Sequence, residues 1–250
     1  MAQVVQRRSG ADEPESVKRP PPASRPWPLR FIDTTVGMKW VMALSGVMLI
    51  GFIVFHMIGN WKMFLGFNAT EGYYDINHYG EFLRELMYPI LPKTVFLWIM
   101  RVGLIGAFLV HILAAYRLVL LNKKARPVNY QSKRNYIATN YANRTMAVSG
   151  SIVLAYLLFH LADLTWGVNG LAGDNWERGD VYQNFVASMD RPVVAIFYII
   201  ANLLLAMHLY HGAWSMFQSL GVNSPKYNTA RRGFAIGLAV LIGVGNSIMP

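Results

Sequence analysis

Residues 193–219 read VVAIFYIIANLLLAMHLYHGAWSMFQS, a run without one Asp, Glu, Lys or Arg. As a helix it would rise about 40 Å at 1.5 Å per residue, enough to cross the roughly 30 Å hydrocarbon core of a bilayer. The run also holds His208 and His211, three positions apart, in a chain that has no cysteine. Ionisable side chains at membrane depth are costly and usually functional. Two questions follow: what fold holds this run, and what do its histidines bind?

Four further apolar runs lie at roughly 37–59, 96–121, 145–167 and 233–249. Each is near the ~20 residues that a spanning helix needs. The last is the shortest, and the glycines of GFAIGLAVLIGVG suit either a span or close helix packing. Composition agrees with a membrane chain: 54% of the 250 residues are hydrophobic and only 14% are charged, against about a quarter charged in soluble domains. Mean hydropathy is +0.30. The expected fold is all-α, a polytopic membrane protein with five transmembrane helices bundled over residues 37–250. Residues 1–36, polar and Pro-rich, read as a mostly disordered tail without the apolar core of a secretory signal.

Loop charge sets the direction. Arg7, Arg8, Lys18, Arg19, Arg25 and Arg30 lie in the tail, and Lys123, Lys124, Arg126, Lys133, Arg134 and Arg144 in the loop 122–144. Lys226, Arg231 and Arg232 follow the fourth span. The opposite loops hold only Lys62, Arg84, Lys93, Arg178 and Arg191. The positive-inside rule therefore puts the N-terminus in the cytoplasm and the C-terminus outside. The same rule accounts for the net charge of +10, and no basic stripe on a soluble domain argues for nucleic acid. Trp40, Trp61, Trp98, Trp166 and Trp214 sit near span ends, as interfacial anchors do.

Threading the histidines onto these spans sorts four of them by depth. His111 and His208, on inward-running helices, lie each about 22 Å below the outer surface at 1.5 Å per residue. His56 and His160, on outward-running helices, lie about 22–28 Å above the inner one. Two pairs emerge, one near each face, each drawn from two helices running the same way. A b-type haem needs two axial imidazoles, and helices of a bundle supply them. Any one of these histidines alone reads equally well as a packed side chain bonded to a carbonyl or hydroxyl. Four of them, one on each of four helices and matched in depth, point to ligation. His78, in YYDINHYG, reads as a surface or capping residue of an outer loop. His211, one turn inward of His208, suits a hydrogen bond to a quinone or haem propionate, or a helix contact.

Here the residues resemble a known family, the single-chain, five-helix, di-haem membrane anchor of succinate dehydrogenase and fumarate reductase. The likeness covers about residues 34–250. It rests on TTVGMKWVMALSGVMLIGFIVFHMIGN and HLYHGAWSMFQSLG, with LVHILAAYR and LLFHLADLTW in support. It implies that His56, His111, His160 and His208 ligate two haems b, as the pairs His56/His160 and His111/His208. It also implies a flavoprotein and an iron–sulfur subunit docked on the cytoplasmic side, and electron exchange with menaquinone in a bacterial plasma membrane. The expected function is the quinone-reacting part of an enzyme of the tricarboxylic acid cycle and respiratory chain. A further small membrane subunit is compatible with the sequence.

The basic inner loop, with Arg126, Lys133, Arg134 and Arg144, suits docking, lipid headgroups or plain solvation. Gly212 would let a macrocycle or a neighbouring helix approach the backbone closely. Quinone reduction consumes protons, so acidic or polar groups near water are candidates: Asp163, Glu81 and Glu85 on the outer side, Tyr210, His211 and Ser215 on the inner. Asp163 suits an arginine or a helix end equally well. Three rivals stand beside this reading. The histidines could ligate an iron–sulfur cluster whose thiolates come from a partner. The chain could be a structural anchor without a cofactor. A transporter with a histidine relay would need broken helices and inverted repeats, and no convincing repeat between the halves is apparent.

Overall fold

A computed structural model describes residues 26–125 and 141–250, and these are mostly helical. The helices run in chain order as α1 (Trp27–Ile32), α2 (Thr35–Asn60), α3 (Asp75–Glu85), α4 (Val95–Ala125), α5 (Tyr141–His160), α6 (Val181–Met189), α7 (Pro192–Ser219) and α8 (Asn228–Ser247). Strands β1 (Phe67–Asn68) and β2 (Tyr73–Tyr74) form a small antiparallel hairpin with Phe67 opposite Tyr74.

Four stretches among the described residues are long and apolar enough to cross a membrane: Thr35–Leu65, Val95–Ala125, Met146–Thr165 and Pro192–Ser219. They match the first four runs of the sequence. The fifth run forms α8, which falls outside that set. Arg231 and Arg232 in its first turns and Asn246 and Ser247 at its end leave only residues 233–245 apolar, a rise of about 20 Å. Two of its glycines serve packing. A Cβ at Gly243 would lie 2.9 Å from the Ala206 Cβ on α7, and one at Gly245 would lie 2.5 Å from the Met57 Sδ on α2. The Trp61 Nε1–H donates to the Gly245 carbonyl across 2.9 Å. The buried core sits where these three helices meet, around Met57, Leu205, Leu209, Ala213, Ala235 and Ile242.

The bundle is unevenly packed. α7 lies along α8, α2 along α4, α5 along α7, and α2 also touches α7. No comparable packing joins α2 to α5 among the described residues. Large apolar side chains such as Phe55, Leu113, Val193 and Ile200 stay exposed along the spans, as lipid-facing surface does.

The segment between α2 and α4 and the segment between α5 and α7 fold onto each other. Asn77 on α3 donates to Asp180 at 2.9 Å and accepts from the Tyr182 N–H at 2.9 Å. Tyr74 stacks on Tyr182 with ring centroids 3.9 Å apart. Residues 1–25 of the expected tail, and Arg126, Lys133 and Arg134 of the inner loop, lie outside the described residues. So does the side chain of Arg144. At the end of the tail stretch, residues 27–32 form α1, which packs against α2. Phe31 meets Trp40 edge-on at 6.5 Å, and a Cβ at Gly37 would lie 1.9 Å from the Phe31 carbonyl oxygen. Phe31 is half-buried in this contact, while Trp27 stacks on it at 5.9 Å and stays exposed.

A Gly245→Val substitution should lower stability by about 1–3 kcal/mol, the usual cost of overpacking. Unfolding in detergent, followed by circular dichroism, would read this. A variant as stable as the parent would mean that α8 does not pack through Gly245.

Candidate functional site

The outer pair of histidines is built on the ends of two helices. His56 stands one turn before the end of α2, stacked on Phe52 at 5.2 Å. His160 is the last residue of α5, and the chain continues into a π-helical turn, Leu161–Thr165. In that turn the Trp166 N–H reaches Leu161, five residues back, at 2.8 Å. Such wide turns are costly and frequent at functional sites. The two imidazoles approach with ring centroids 6.0 Å apart and planes at 87°. Imidazoles bound to one metal ion from opposite sides, through bonds of about 2 Å, hold their centroids about 6 Å apart. Two ligands with that separation can share an ion.

The π-turn places Asp163 against the start of α7, where it is fully buried. Its carboxylate pairs with the Arg191 guanidinium at 2.9 Å and accepts from Ser188 at 2.5 Å and from Tyr198 at 2.9 Å. Arg191 also donates to the Leu171 carbonyl at 2.8 Å. Of the readings open for Asp163, the arginine partner is the one present. The Tyr198 oxygen in turn lies 3.5 Å from His160 Nδ1, so the cluster reaches the outer histidine through one phenol.

The inner histidines each meet a serine on the preceding long helix. His111 Nδ1 lies 3.2 Å from Ser45 Oγ and 3.2 Å from the Met42 carbonyl oxygen. His208 Nδ1 lies 3.3 Å from Ser149 Oγ. A Cβ at Gly46 would touch the His111 ring at 3.5 Å, and one at Gly150 the His208 ring at 3.4 Å.

These matched contacts expose a repeat that the reading of the sequence missed. Residues 42–56 are MALSGVMLIGFIVFH and residues 146–160 are MAVSGSIVLAYLLFH. Both fit M-A-x-S-G-x8-F-H, with the serine and the histidine separated by the same interval. The repeat is direct, not the inverted kind that a transporter would need. In each half, one helix carries an outer histidine and a serine that receives the inner histidine of the next long helix. From Ser45 to His56, and from Ser149 to His160, the rise is about 16 Å. Two levels of imidazole separated by that distance follow from both halves independently. Among the described residues no cluster of three or more His, Cys, Asp or Glu is present. Among the described residues, the pair of histidines in ring contact is His56 with His160.

The other candidates divide. His211 is buried with its Nε2 lacking a partner, while Tyr210 and Ser215 are half-buried beside it on α7. A Cβ at Gly212 would meet no atom within 4 Å among the described residues, so none of their helices approaches the backbone there as the sequence allowed. Glu85 is taken up by Lys93 at 2.5 Å on the exposed outer loop, and the carboxylate holds the Lys93 ammonium above its usual range. Glu81 is exposed. His78 stacks on Tyr73 at 4.5 Å. Compared with family models, curated proteins and solved structures, the chain matches none.

Removing Arg191 would leave the Asp163 carboxylate buried without its counter-charge. Arg191→Ala should cost about 3 kcal/mol, the lower end for a broken buried pair because the arginine side chain is 34% exposed. Titration with SDS in mixed micelles would read the loss. A change below about 0.5 kcal/mol would show that the pair behaves like a surface one.

Proposed function

We propose that this chain is the membrane anchor of a succinate:quinone oxidoreductase, carrying electrons between an iron–sulfur subunit and menaquinone. The observation that carries the reading is the set of four histidines in two levels, each level drawn from helices running in parallel. The segments that resemble the di-haem anchors contain these same four residues. In this reading all five long helices span a bacterial plasma membrane, with the N-terminus cytoplasmic and the C-terminus outside. α8 completes the set, its short apolar centre flanked by Arg231 and Arg232 at the inner surface. Flavoprotein and iron–sulfur subunits dock on that basic inner side.

His56 with His160, and His111 with His208, hold the two haems b. Each haem, when bound, supplies a one-electron redox centre whose potential depends on its ligands, burial and hydrogen bonds. The residues of the chain do the rest. Gly46 and Gly150 leave room beside the inner imidazoles. The buried Nε2 of His211 wants a hydrogen-bond partner, which a quinone oxygen or a propionate would provide, with Tyr210 and Ser215 alongside. Asp163 is already held by Arg191, Ser188 and Tyr198, so its first task is to fix the outer end of α7 relative to His160.

A reduced-minus-oxidised absorption spectrum with pyridine haemochrome quantification tests the reading. About two b-type haems per chain are expected, falling to about one in His160→Ala and in His208→Ala, with loss of quinone turnover by the assembled complex. Iron accompanied by acid-labile sulfide would instead identify a partner-ligated cluster. Quinone turnover untouched by either substitution would leave only a structural anchor.

A further inference from the structure

We propose that Ser45 and Ser149 are positioning residues, each fixing a histidine of the following long helix as its Nδ1–H tautomer so that Nε2 is free to bind iron. This rests on the haem reading above and assigns a role to side chains that do not touch the iron.

The argument is one of hydrogen count. A serine hydroxyl has a single hydrogen. The Ser45 Oγ lies 2.8 Å from the Val41 carbonyl oxygen and 3.1 Å from that of Met42, and the Ser149 Oγ lies 3.1 Å from that of Met146. Carbonyls only accept, so each hydroxyl spends its hydrogen on its own helix, the back-bond common for serine inside helices. What it offers the histidine is a lone pair. His111 settles the direction, because its Nδ1 also faces the Met42 carbonyl at 3.2 Å. An imidazole nitrogen between two acceptors carries the hydrogen. Neutral imidazole has only one N–H, so Nε2 of His111 holds the lone pair. His208 meets the equivalent serine of the repeated segment and takes the same tautomer. The outer site repeats the pattern with a different residue. Tyr198 donates its hydrogen to Asp163 and turns its oxygen to His160 Nδ1.

Acceptors on the N–H of an axial imidazole raise its basicity and fix its ring. A more basic ligand favours ferric iron and lowers the potential. The two inner histidines are not equally supported. His111 keeps the Met42 carbonyl if its serine is lost, whereas Ser149 is the one acceptor seen at His208 Nδ1 among the described residues.

The test uses the purified haem-loaded protein, with redox titration, ferric low-spin electron paramagnetic resonance and haem content measured on Ser149→Ala, Ser149→Thr and Ser45→Ala. Ser149→Ala should raise the midpoint potential of one haem and shift its largest g value, leaving the other haem unchanged. Ser45→Ala should move the same haem by less, and Ser149→Thr, which keeps the hydroxyl, should restore the parent signals. Wild-type potentials and g values in Ser149→Ala at full haem content would overturn the proposal. If Ser149→Ala loses one haem, a Thr variant with parent signals supports it, and a Thr variant that also loses the haem overturns it by showing that only side-chain volume matters. A parent protein without haem removes the haem reading and this proposal together.

Discussion

Inside a bilayer no water is present to satisfy a backbone or side-chain polar group, and this constraint organises the whole chain. The backbone answers it with long helices. The side chains answer it by finding each other: Ser45 with His111, Ser149 with His208, Asp163 with Arg191, Ser188 and Tyr198. Each of these contacts joins residues far apart in sequence. Each therefore also fixes how two helices lie against one another, since a slip of one turn would strand a polar group in an apolar medium.

The two halves meet that demand with the same device. One helix brings a serine and glycine in its first half and a phenylalanine and histidine toward its end. The next long helix brings a histidine to the serine. The spacing between the two levels is then set by a fixed number of residues on a rigid rod. Depth in the membrane is written into the interval between Ser45 and His56, and between Ser149 and His160. α8 lies outside this repeat, closing the bundle on one side through Gly243 and Gly245 where any larger residue would collide.

Much of this was legible from residue order alone. Hydrophobic runs of sufficient length become helices: α2, α4 and α7, and α5 together with its π-turn, begin and end within a few residues of the apolar runs. The four membrane-depth histidines stand out because an ionisable ring among Leu, Ile and Phe is expensive. The outer helices α3 and α6 are short and amphipathic, so nothing separated them from loop. α1 is hidden by prolines, and its stability depends on a contact with α2 that only the fold supplies. The serines were missed for a different reason. A serine in a helix reads as an ordinary small residue, and its partner lies 66 positions away for Ser45. The repeat that would have revealed them is diluted, because the positions between its matching residues only need to be apolar. Asp163 stood out in the sequence as an acid one turn beyond His160, but its burial and its arginine could be identified only once the π-turn brought the two together.

An experimental density map of the purified protein, at a resolution that shows macrocycles, tests the central claim most directly. Two flat densities should appear, one between His56 and His160 and one between His111 and His208, with centres separated by about 16 Å along the bundle axis. Four histidines bonded only to protein, with neither level bridged, would contradict it.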